Sequence, residues 1–181
     1  MLLNRGTKDI KTNRLLLRKF REDDAKSFYE LVGSDDNVTK YVVWNVHKDI
    51  DDTRNIINKW ISNYENDYTY YWAIELENDQ VIGSISCVHV DIKNATCELG
   101  YAISSSYWNK GYTTEALKAV IAYLQKEGFK TIYAKHLSLN PASGKVMLKC
   151  GMQYEGTLRN RMIDKNTGKY DDLLSYSITI D

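Results

Sequence analysis

The sequence predicts one α+β domain whose central sheet is largely antiparallel. Its 181 residues suit a single domain over positions 1–181, and no repeat, low-complexity segment or linker interrupts them. Segments with a helical spacing of apolar residues alternate with segments of strand-like spacing. In the middle of the chain, residues 70–76, 80–90 and 95–103 indicate three strands in series. The turns between them are short, as antiparallel neighbours allow.

The N-terminal part of the chain predicts one strand and two helices. Residues 12–20 are strand-like, although their leucines also suit a helix. Acidic residues at 22–24 favour a helix start there, and Gly33 is placed to end that helix. Its apolar face has the spacing i, i+3, i+4, i+7 and consists of Ala25, Phe28, Tyr29 and Val32. A second helix is predicted over 51–64, with one face formed by Thr53, Ile56, Ile57, Trp60, Ile61 and Tyr64.

The C-terminal part predicts two further helices and three further strands. In chain order, these elements are a polar loop at 104–112, a helix at 113–127, a strand at 131–139, a short helix after 140, and a hairpin of 152–163 and 169–180. Gly128 and Gly151 are placed to end the two helices. Asn140 is a good cap for the short helix, and Pro141 suits its first position.

Composition excludes several classes of protein. The 24 basic and 24 acidic residues give zero net charge, which argues against a nucleic-acid binder that depends on bulk electrostatics. No apolar run approaches 18 residues, so no membrane span is predicted, and the apolar start is too short for a secretion signal. Cys87, Cys97 and Cys150 form no C-x-x-C pair. They indicate reduced, core-filling thiols in a cytoplasmic protein.

The most informative segment is 107–116, Y-W-N-K-G-Y-T-T-E-A, between a predicted strand and a predicted helix. Backbone N–H groups at a helix start lack intrahelical partners and, together with the helix dipole, form an anion site. Gly111 lets a phosphate approach the backbone closely, and Lys110 adds positive charge. An ordinary loop with a glycine turn is the alternative. The segment is neither a P-loop nor a dinucleotide-binding fingerprint, because G-x-x-x-x-G-K-[ST] and G-x-G-x-x-G are absent.

The neutral chain has an uneven distribution of charge. Residues 107–150 contain seven lysines and two acidic residues, a net charge of +5. Residues 33–69 contain seven acidic and four basic residues, a net charge of −3. Solvated surface charges are the usual explanation for single lysines. The bias around 107–116 nevertheless favours a polyphosphate ligand.

Three other segments accompany this loop. Residues 12–18 are T-N-R-L-L-L-R, followed by D-A at 24–25; residues 98–101 are E-L-G-Y; residues 140–151 are N-P-A-S-G-K-V-M-L-K-C-G. In order and spacing the four segments resemble the GNAT superfamily of N-acetyltransferases, in its ribosomal-protein N-acetyltransferase (RimJ/RimL type) branch. The loop is similar to that branch's W-G-K-G-Y-A-T-E-A form of the acetyl-CoA signature Q/R-x-x-G-x-G/A. The resemblance covers about 12–180.

The sequence departs from the family pattern at several positions. Trp108 stands where the general signature has Gln or Arg, Asn109 replaces a common glycine, and Thr113 replaces the final Gly or Ala. The side chain of Thr113 either crowds the pyrophosphate or hydrogen-bonds to it, and the sequence leaves both open. Cys150 and Met152 replace Leu and Phe, which are changes of packing.

The resemblance implies a mostly antiparallel sheet of about seven strands with about four flanking helices and splayed central strands. It also implies direct transfer of an acetyl group from the cosubstrate acetyl-CoA to a primary amine, on a small molecule or a protein N-terminus, without a metal. The residues it implies for binding acetyl-CoA are Leu99, Tyr101, Ile103, Trp108, Asn109, Lys110, Gly111, Tyr112, Thr113, Thr114, Asn140, Ser143 and Lys149.

Two side chains are candidates for the proton transfers. Strand alternation places Glu98 on one face with small neighbours, and the resemblance implies that a glutamate here takes the amine proton. A solvated strand glutamate is the alternative. Ser143 is the candidate donor to the departing thiolate, because Met147 stands where many family members have a tyrosine and cannot donate a proton. A serine that bonds the start of its own helix is the alternative.

The acceptor pocket is expected from the first two helices and the loop between them. Its candidate lining residues are Tyr41, Trp44, Tyr70, Trp72 and Glu98. Core packing is the alternative for each aromatic residue. The acidic bias of 33–69 suits a cationic acceptor. The three histidines lie far apart without metal-ligand spacing, so no metal is expected, and a homodimer is an open option.

Two other functions stay open. A non-catalytic acyl-CoA-binding module with the same fold is supported by Met147 and Thr113 and opposed by Glu98 and Ser143. A domain that binds another nucleotide is disfavoured, because the sequence lacks a P-loop paired with an acidic Mg²⁺-binding motif.

Overall fold

An eight-stranded sheet carries helices on both faces in the computed structural model, which describes residues 2–180. The described strands are β1 (Ile10–Lys11), β2 (Leu15–Arg18), β3 (Tyr71–Leu76), β4 (Val81–Asp91), β5 (Thr96–Ile103), β6 (Thr131–Leu137), β7 (Gln153–Ile163) and β8 (Tyr170–Thr179). The described helices are α1 (Ala25–Phe28, continued by a π-helical turn at Tyr29–Gly33), α2 (Asp36–Thr39), α3 (Ile50–Asn63), α4 (Tyr112–Glu127) and α5 (Pro141–Lys149). The strand order is β1-β2-β3-β4-β5-β6-β8-β7.

The predicted α+β class and largely antiparallel sheet are confirmed. Within residues 2–180, β5 and β6 form the one parallel pair. The sheet has eight strands rather than about seven, because the two-residue β1 adds an edge, and the short α2 brings the helices to five. The predicted first strand is shorter than expected. A turn at Thr12 precedes this strand. The Thr12 hydroxyl accepts the N–H of Leu15 (3.0 Å), and the backbone N–H of Thr12 donates to the carbonyl of Leu15 (2.9 Å).

Apolar side chains on both faces of the sheet are buried under helices. On one face, α4 packs Leu117 and Leu124 into a core with Trp72. On the other face, α1 and α3 bury Phe28 and Ile57 in a second cluster. The helical spacing in the sequence therefore identified the faces of α1 and α3 that turn toward the sheet.

The parallel pairing of β5 with β6 stops halfway along both strands. Its register runs from Thr96↔Thr131 to Leu99↔Ala134. Beyond that point β5 continues to Ile103, paired with β4, and β6 continues to Leu137, paired with β8. The two strands thus diverge, which confirms the splay that the family resemblance implies. The diverging edge of β5 carries backbone groups that need another partner.

A buried ion cluster joins β2 to the start of α1. Arg18 donates two hydrogen bonds to Asp24 (2.7 and 2.8 Å) and also contacts Glu75 on β3. All three side chains are buried. Burial works to lower the pKa of Arg18, but the hydrogen bonds to Asp24 and Glu75 outweigh it and raise that pKa. Two buried carboxylates therefore depend on one guanidinium.

We predict that Arg18→Leu lowers the free energy of unfolding by about 3–5 kcal/mol, because it leaves both carboxylates buried without their cation. Urea denaturation of wild type and variant measures the loss. Arg54→Leu is the matched control, because Arg54 forms an exposed pair with Asp51 and should stay within about 0.5 kcal/mol of wild type. Equal losses in the two variants would contradict the prediction.

Candidate active site

The segment before α4 forms a turn that exposes backbone N–H groups. Asn109 (φ 59°) and Gly111 (φ 83°) both adopt the left-handed conformation, which glycine and asparagine tolerate best. The N–H of Glu115 donates to the carbonyl of Gly111 (3.0 Å), which is the first bond of the helical ladder. The N–H groups of Tyr112, Thr113 and Thr114 precede it and are therefore the free donors of the helix start. This is the geometry of an anion site.

Side chains of the same segment fix the turn to the end of β5. The indole of Trp108 donates to the carbonyl of Ile103 (2.9 Å), and the ammonium of Lys110 donates to the carbonyl of Ser106 (2.9 Å). Lys110 also lies over the ring of Tyr107. Trp108, where the family signature has Gln or Arg, thus holds the loop in place, and Lys110 contributes its charge near the turn.

Arg14 is a site residue that the sequence analysis quoted only as part of a motif. Its guanidinium donates to the carbonyl of Lys110 (3.0 Å) and to Glu115 (2.7 Å), and it stacks over Tyr112 at 4.3 Å. Glu115 also accepts the hydroxyl of Thr12 (2.7 Å). Burial works to raise the pKa of Glu115, but the hydrogen bonds of Thr12 and Arg14 lower it overall. Arg14 and Glu115 both occur in the motifs given above, and those motifs are the signal that could have identified them.

Glu98 lies on the opposite face of β5 from the buried side chains of Cys97 and Leu99, as alternation predicts. Its carboxylate pairs with Lys135 of β6 at 2.9 Å and its side chain is 21 % exposed. Burial raises the pKa of the neighbouring Tyr133, and the charge of Glu98 adds to that rise. Glu98 is thus a paired, mostly buried carboxylate.

The space beside Glu98 is smaller than the sequence suggests. Gly100 lies two residues further along β5 on the same face. A Cβ atom at this glycine would meet a methyl group of Val88 at 2.9 Å. Val88 lies at a register shift in β4, which turns its side chain over Gly100. Val88 therefore narrows the space on the face of β5 that carries Glu98, which the sequence did not indicate.

Ser143 lies on the other face of β5, at the start of α5. Its hydroxyl is 2.8 Å from the phenol oxygen of Tyr101. The side chain of Asn140 accepts the N–H of Ser143, so the predicted capping role of Asn140 is confirmed. Met147 is buried in the core, and Lys149 is exposed in the last turn of α5. Glu98 and Ser143 therefore flank the splay from its two sides.

The prediction that Tyr70 and Trp72 line the acceptor pocket is wrong. Both are fully buried on the face that α4 covers. The hydroxyl of Tyr70 donates to Glu127 (3.2 Å), and the indole of Trp72 donates to the carbonyl of Lys8 (2.8 Å). Their neighbour Ala73 points to the face that α1 and α3 cover. The apolar pattern of this strand has buried residues on both faces, so it does not tell which face is which.

Tyr41 and Trp44 lie in the segment between α2 and α3, where both are partly buried. An open cleft runs between this segment and the end of β7, and its lining includes Lys40, Val43, Leu137, Met162 and Lys165. The tip of the β7–β8 hairpin holds the segment. Asn166 donates to the carbonyl of Lys40 (3.1 Å), and the ammonium of Lys165 donates to the carbonyl of Trp44.

Residues 2–180 contain no group of three or more His, Cys, Asp or Glu side chains placed to hold a metal ion. The same part of the chain has no helix long and apolar enough to cross a membrane. Cys87, Cys97 and Cys150 are buried free thiols, consistent with packing roles.

A sheet that opens between two parallel strands, beside a helix start with free N–H groups, defines the class of acyl-CoA N-acyltransferases. A family model described as an acetyltransferase (GNAT) domain matches residues 14–153. The uncharacterized N-acetyltransferase YnaD of Bacillus subtilis is 33% identical over 164 residues, which cover 90% of this chain and 92% of YnaD. The ribosomal-protein-serine acetyltransferase of Escherichia coli is 27% identical over 179 residues, 97% of this chain and 98% of the relative.

A solved structure of RimL, a ribosomal-protein α-N-acetyltransferase in complex with coenzyme A, has the same fold. It superposes with a TM-score of 0.86 at 21% identity and covers 96% of this chain and 99% of its own. The chain therefore belongs to the GNAT acetyltransferase family, as the four segments predicted, and is an acetyl-CoA-dependent N-acetyltransferase. The alternative of a non-catalytic binding module is not favoured.

The segment that carries Trp44 is anchored by His47, which predicts a pH-dependent stability. His47 is buried, and its ring Nδ1 lies 2.7 Å from the hydroxyl of Thr53. The backbone N–H of His47 donates to the carbonyl of Gly33. Burial lowers the pKa of His47, although the charge of Asp52 partly opposes this. The folded state therefore favours the neutral ring. Stability is retained above the unfolded-state pKa of about 6.5 and is lost as the pH falls below it.

We predict that His47→Gln weakens this dependence. The free energy of unfolding of wild type, measured by urea denaturation, should fall between pH 7.5 and pH 5.5. His47 accounts for up to about 1.4 kcal/mol of that fall per pH unit, so the fall should be smaller in His47→Gln. His89→Gln, which changes an exposed histidine, should behave as wild type does. The same pH dependence in His47→Gln and wild type would refute the assignment.

Proposed function

We propose that acetyl-CoA binds in the splay between β5 and β6 and that the acetyl group passes there to a primary amine. The observation that carries this proposal is the end of the parallel pairing at Leu99↔Ala134. Beyond it, β5 has no strand partner on one side, and there the carbonyl of Ile103 is taken by Trp108. The remaining backbone groups of this edge suit the amides of pantetheine. The N–H groups of residues 112–114, with Arg14 and Lys110 beside them, suit the pyrophosphate.

The departures from the family signature are compatible with this arrangement. Trp108 and Lys110 both bond backbone carbonyls, so they keep the loop in shape. The side chains of Leu99 and Ile103 are buried, so these residues would contact the ligand through their backbones. The side chain of Thr113 is partly exposed at the helix start, where its hydroxyl would bond the pyrophosphate. Asn140 and Lys149, at the two ends of α5, are further residues that would contact acetyl-CoA in this proposal.

Within this proposal, Glu98 takes the proton of the amine and Ser143 gives a proton to sulfur. A new N–C bond forms, the C–S bond breaks, one proton passes from nitrogen to Glu98 and one passes from Ser143 to the departing thiolate. Glu98 then releases its proton to solvent and Ser143 recovers one from solvent, so both groups return to their starting state. Lys135 holds the Glu98 carboxylate in place at 2.9 Å. Glu98 and Ser143 lie on opposite faces of β5, which suits two separate roles, because the nitrogen and the sulfur are different substituents of the tetrahedral carbon and each can face its own side chain.

The α-amino group of a protein is the acceptor that we propose, with small-molecule amines as the alternative. The Escherichia coli relative is named for a ribosomal protein, and it aligns over nearly the whole chain. The cleft beside Met162 is open, as a chain terminus requires. Lys40 and Lys165 lie in its lining, so the acidic bias of residues 33–69 does not extend there, and we do not propose a polycation.

Assembly, location and metal content stay predictions. Tyr154, Leu158 and Tyr170 are exposed apolar residues of β7 and β8, which suits the burial of this edge in a homodimer. The free cysteines suit a cytoplasmic protein. The proposed proton transfers use side chains alone, so they require neither a metal nor a nucleic-acid or membrane partner.

The test is release of CoA thiol from acetyl-CoA with a panel of peptides and small amines. Wild type should turn over at least one acceptor, and Glu98→Gln should lower kcat by about 10²–10⁴ because it removes the base. Binding of acetyl-CoA, measured by calorimetry, should be unchanged in this variant.

Glu155→Gln is the matched control, because Glu155 lies on the edge strand β7, three strands from β5, and accepts a hydrogen bond from Ser177. It should turn over as wild type does. Full turnover by Glu98→Gln at every pH would remove Glu98 from the mechanism. Failure of wild type to bind acetyl-CoA would refute the whole proposal.

A further inference from the structure

Two hydroxyl groups meet on the α5 side of the splay. The phenol oxygen of Tyr101 lies 2.8 Å from the hydroxyl of Ser143 and 3.2 Å from the carbonyl of the same residue. Tyr101 belongs to the part of β5 that has left β6. From the sequence alone, Tyr101 is predicted only as a ligand contact and Ser143 as a donor without a partner. In the structure the two side chains are within hydrogen-bond distance of each other.

The phenol of Tyr101 and the hydroxyl of Ser143 can arrange their two protons in two ways. The phenol has one proton and two acceptors within reach, the carbonyl and the hydroxyl oxygen of Ser143. When the phenol proton goes to the carbonyl, the hydroxyl of Ser143 donates to the phenol oxygen. When the phenol proton goes to the hydroxyl oxygen, the proton of Ser143 is free to point elsewhere. Both arrangements satisfy Tyr101.

We propose that Tyr101 is a positioning residue that turns the hydroxyl of Ser143 toward sulfur as negative charge develops there. The proposal rests on the proposed function, because it needs CoA in the splay. In the second arrangement Ser143 receives a hydrogen bond from Tyr101 and donates its own proton to the thiolate. A hydroxyl that accepts one hydrogen bond while it donates another is a stronger donor.

The surroundings hold both groups in place. Burial raises the pKa of Tyr101, so the phenol keeps its proton. Asn140 fixes the backbone N–H of Ser143. Gly144 lets α5 approach β6 closely, because a Cβ atom there would lie 2.6 Å from the imidazole of His136. Ser143 is therefore held against Tyr101 by its own helix.

The test titrates the thiol of bound CoA, so it needs no acceptor amine. CoA is added to saturation, and the ultraviolet absorbance of the thiolate is followed against pH, with desulfo-CoA as the baseline. Ser143→Ala should lower the acid dissociation constant of the bound thiol about tenfold or more, because a hydrogen bond to a charged sulfur is lost. Tyr101→Phe should lower it by a smaller factor.

The double variant distinguishes the proposed role from a direct one. Because Tyr101 acts through Ser143, Tyr101→Phe should change nothing further in the Ser143→Ala background. An equal effect of Tyr101→Phe in both backgrounds, or none in wild type, would overturn the inference.

Tyr123→Phe is the control for loss of a tyrosine hydroxyl. That hydroxyl donates to the carbonyl of Gly6 (2.6 Å), away from the splay, so its loss should not move the thiol titration. A shift equal to that of Tyr101→Phe would also overturn the inference. Absence of CoA binding by wild type is the distinct result that refutes the proposed function, and this inference with it.

Discussion

The divergence of β5 from β6 is the constraint on which the site depends. β6 remains paired with β8 from Thr131 to Leu137, and β5 remains paired with β4 to Ile103, so neither strand can close the gap. Buried backbone groups require hydrogen-bond partners, so the open edge of β5 is where we propose that an extended ligand binds. Both candidate proton-transfer groups depend on this strand, because Glu98 belongs to β5 and Tyr101 of β5 contacts Ser143 of α5 on the opposite face.

The candidate anion site at the start of α4 is formed by two segments that lie far apart in the sequence. The left-handed turn at Gly111 comes from its own segment, whereas the guanidinium comes from Arg14 just before β2. Glu115 connects them, because it accepts hydrogen bonds from Thr12 and Arg14 while it belongs to the first turn of the helix. Backbone dipoles therefore supply the directional donors, and Arg14 and Lys110 supply charge without a strongly basic protein.

Much of this arrangement could be predicted from the sequence, because its signals are local. Gly111 and Gly128 mark the two ends of α4 and both adopt the left-handed conformation. The period of two in β5 separates Glu98 from the buried Leu99. The face of the sheet on which Tyr70 and Trp72 lie could not be predicted in this way. Both faces of β3 are buried, so alternation along the strand does not distinguish one from the other. The remaining misses are contacts between distant segments, such as Tyr101 with Ser143, which no local pattern encodes.

The hold of the β7–β8 tip on the segment after α2 has a consequence for how this enzyme changes over time. Asn166 and Lys165 donate hydrogen bonds to the backbone carbonyl oxygens of Lys40 and Trp44. Every residue type has such a carbonyl oxygen. The shape of the segment is therefore independent of the side chains it displays toward the cleft. If the cleft receives the acceptor, as we propose, substitutions at its lining would change which amine is accepted while the loop keeps its path.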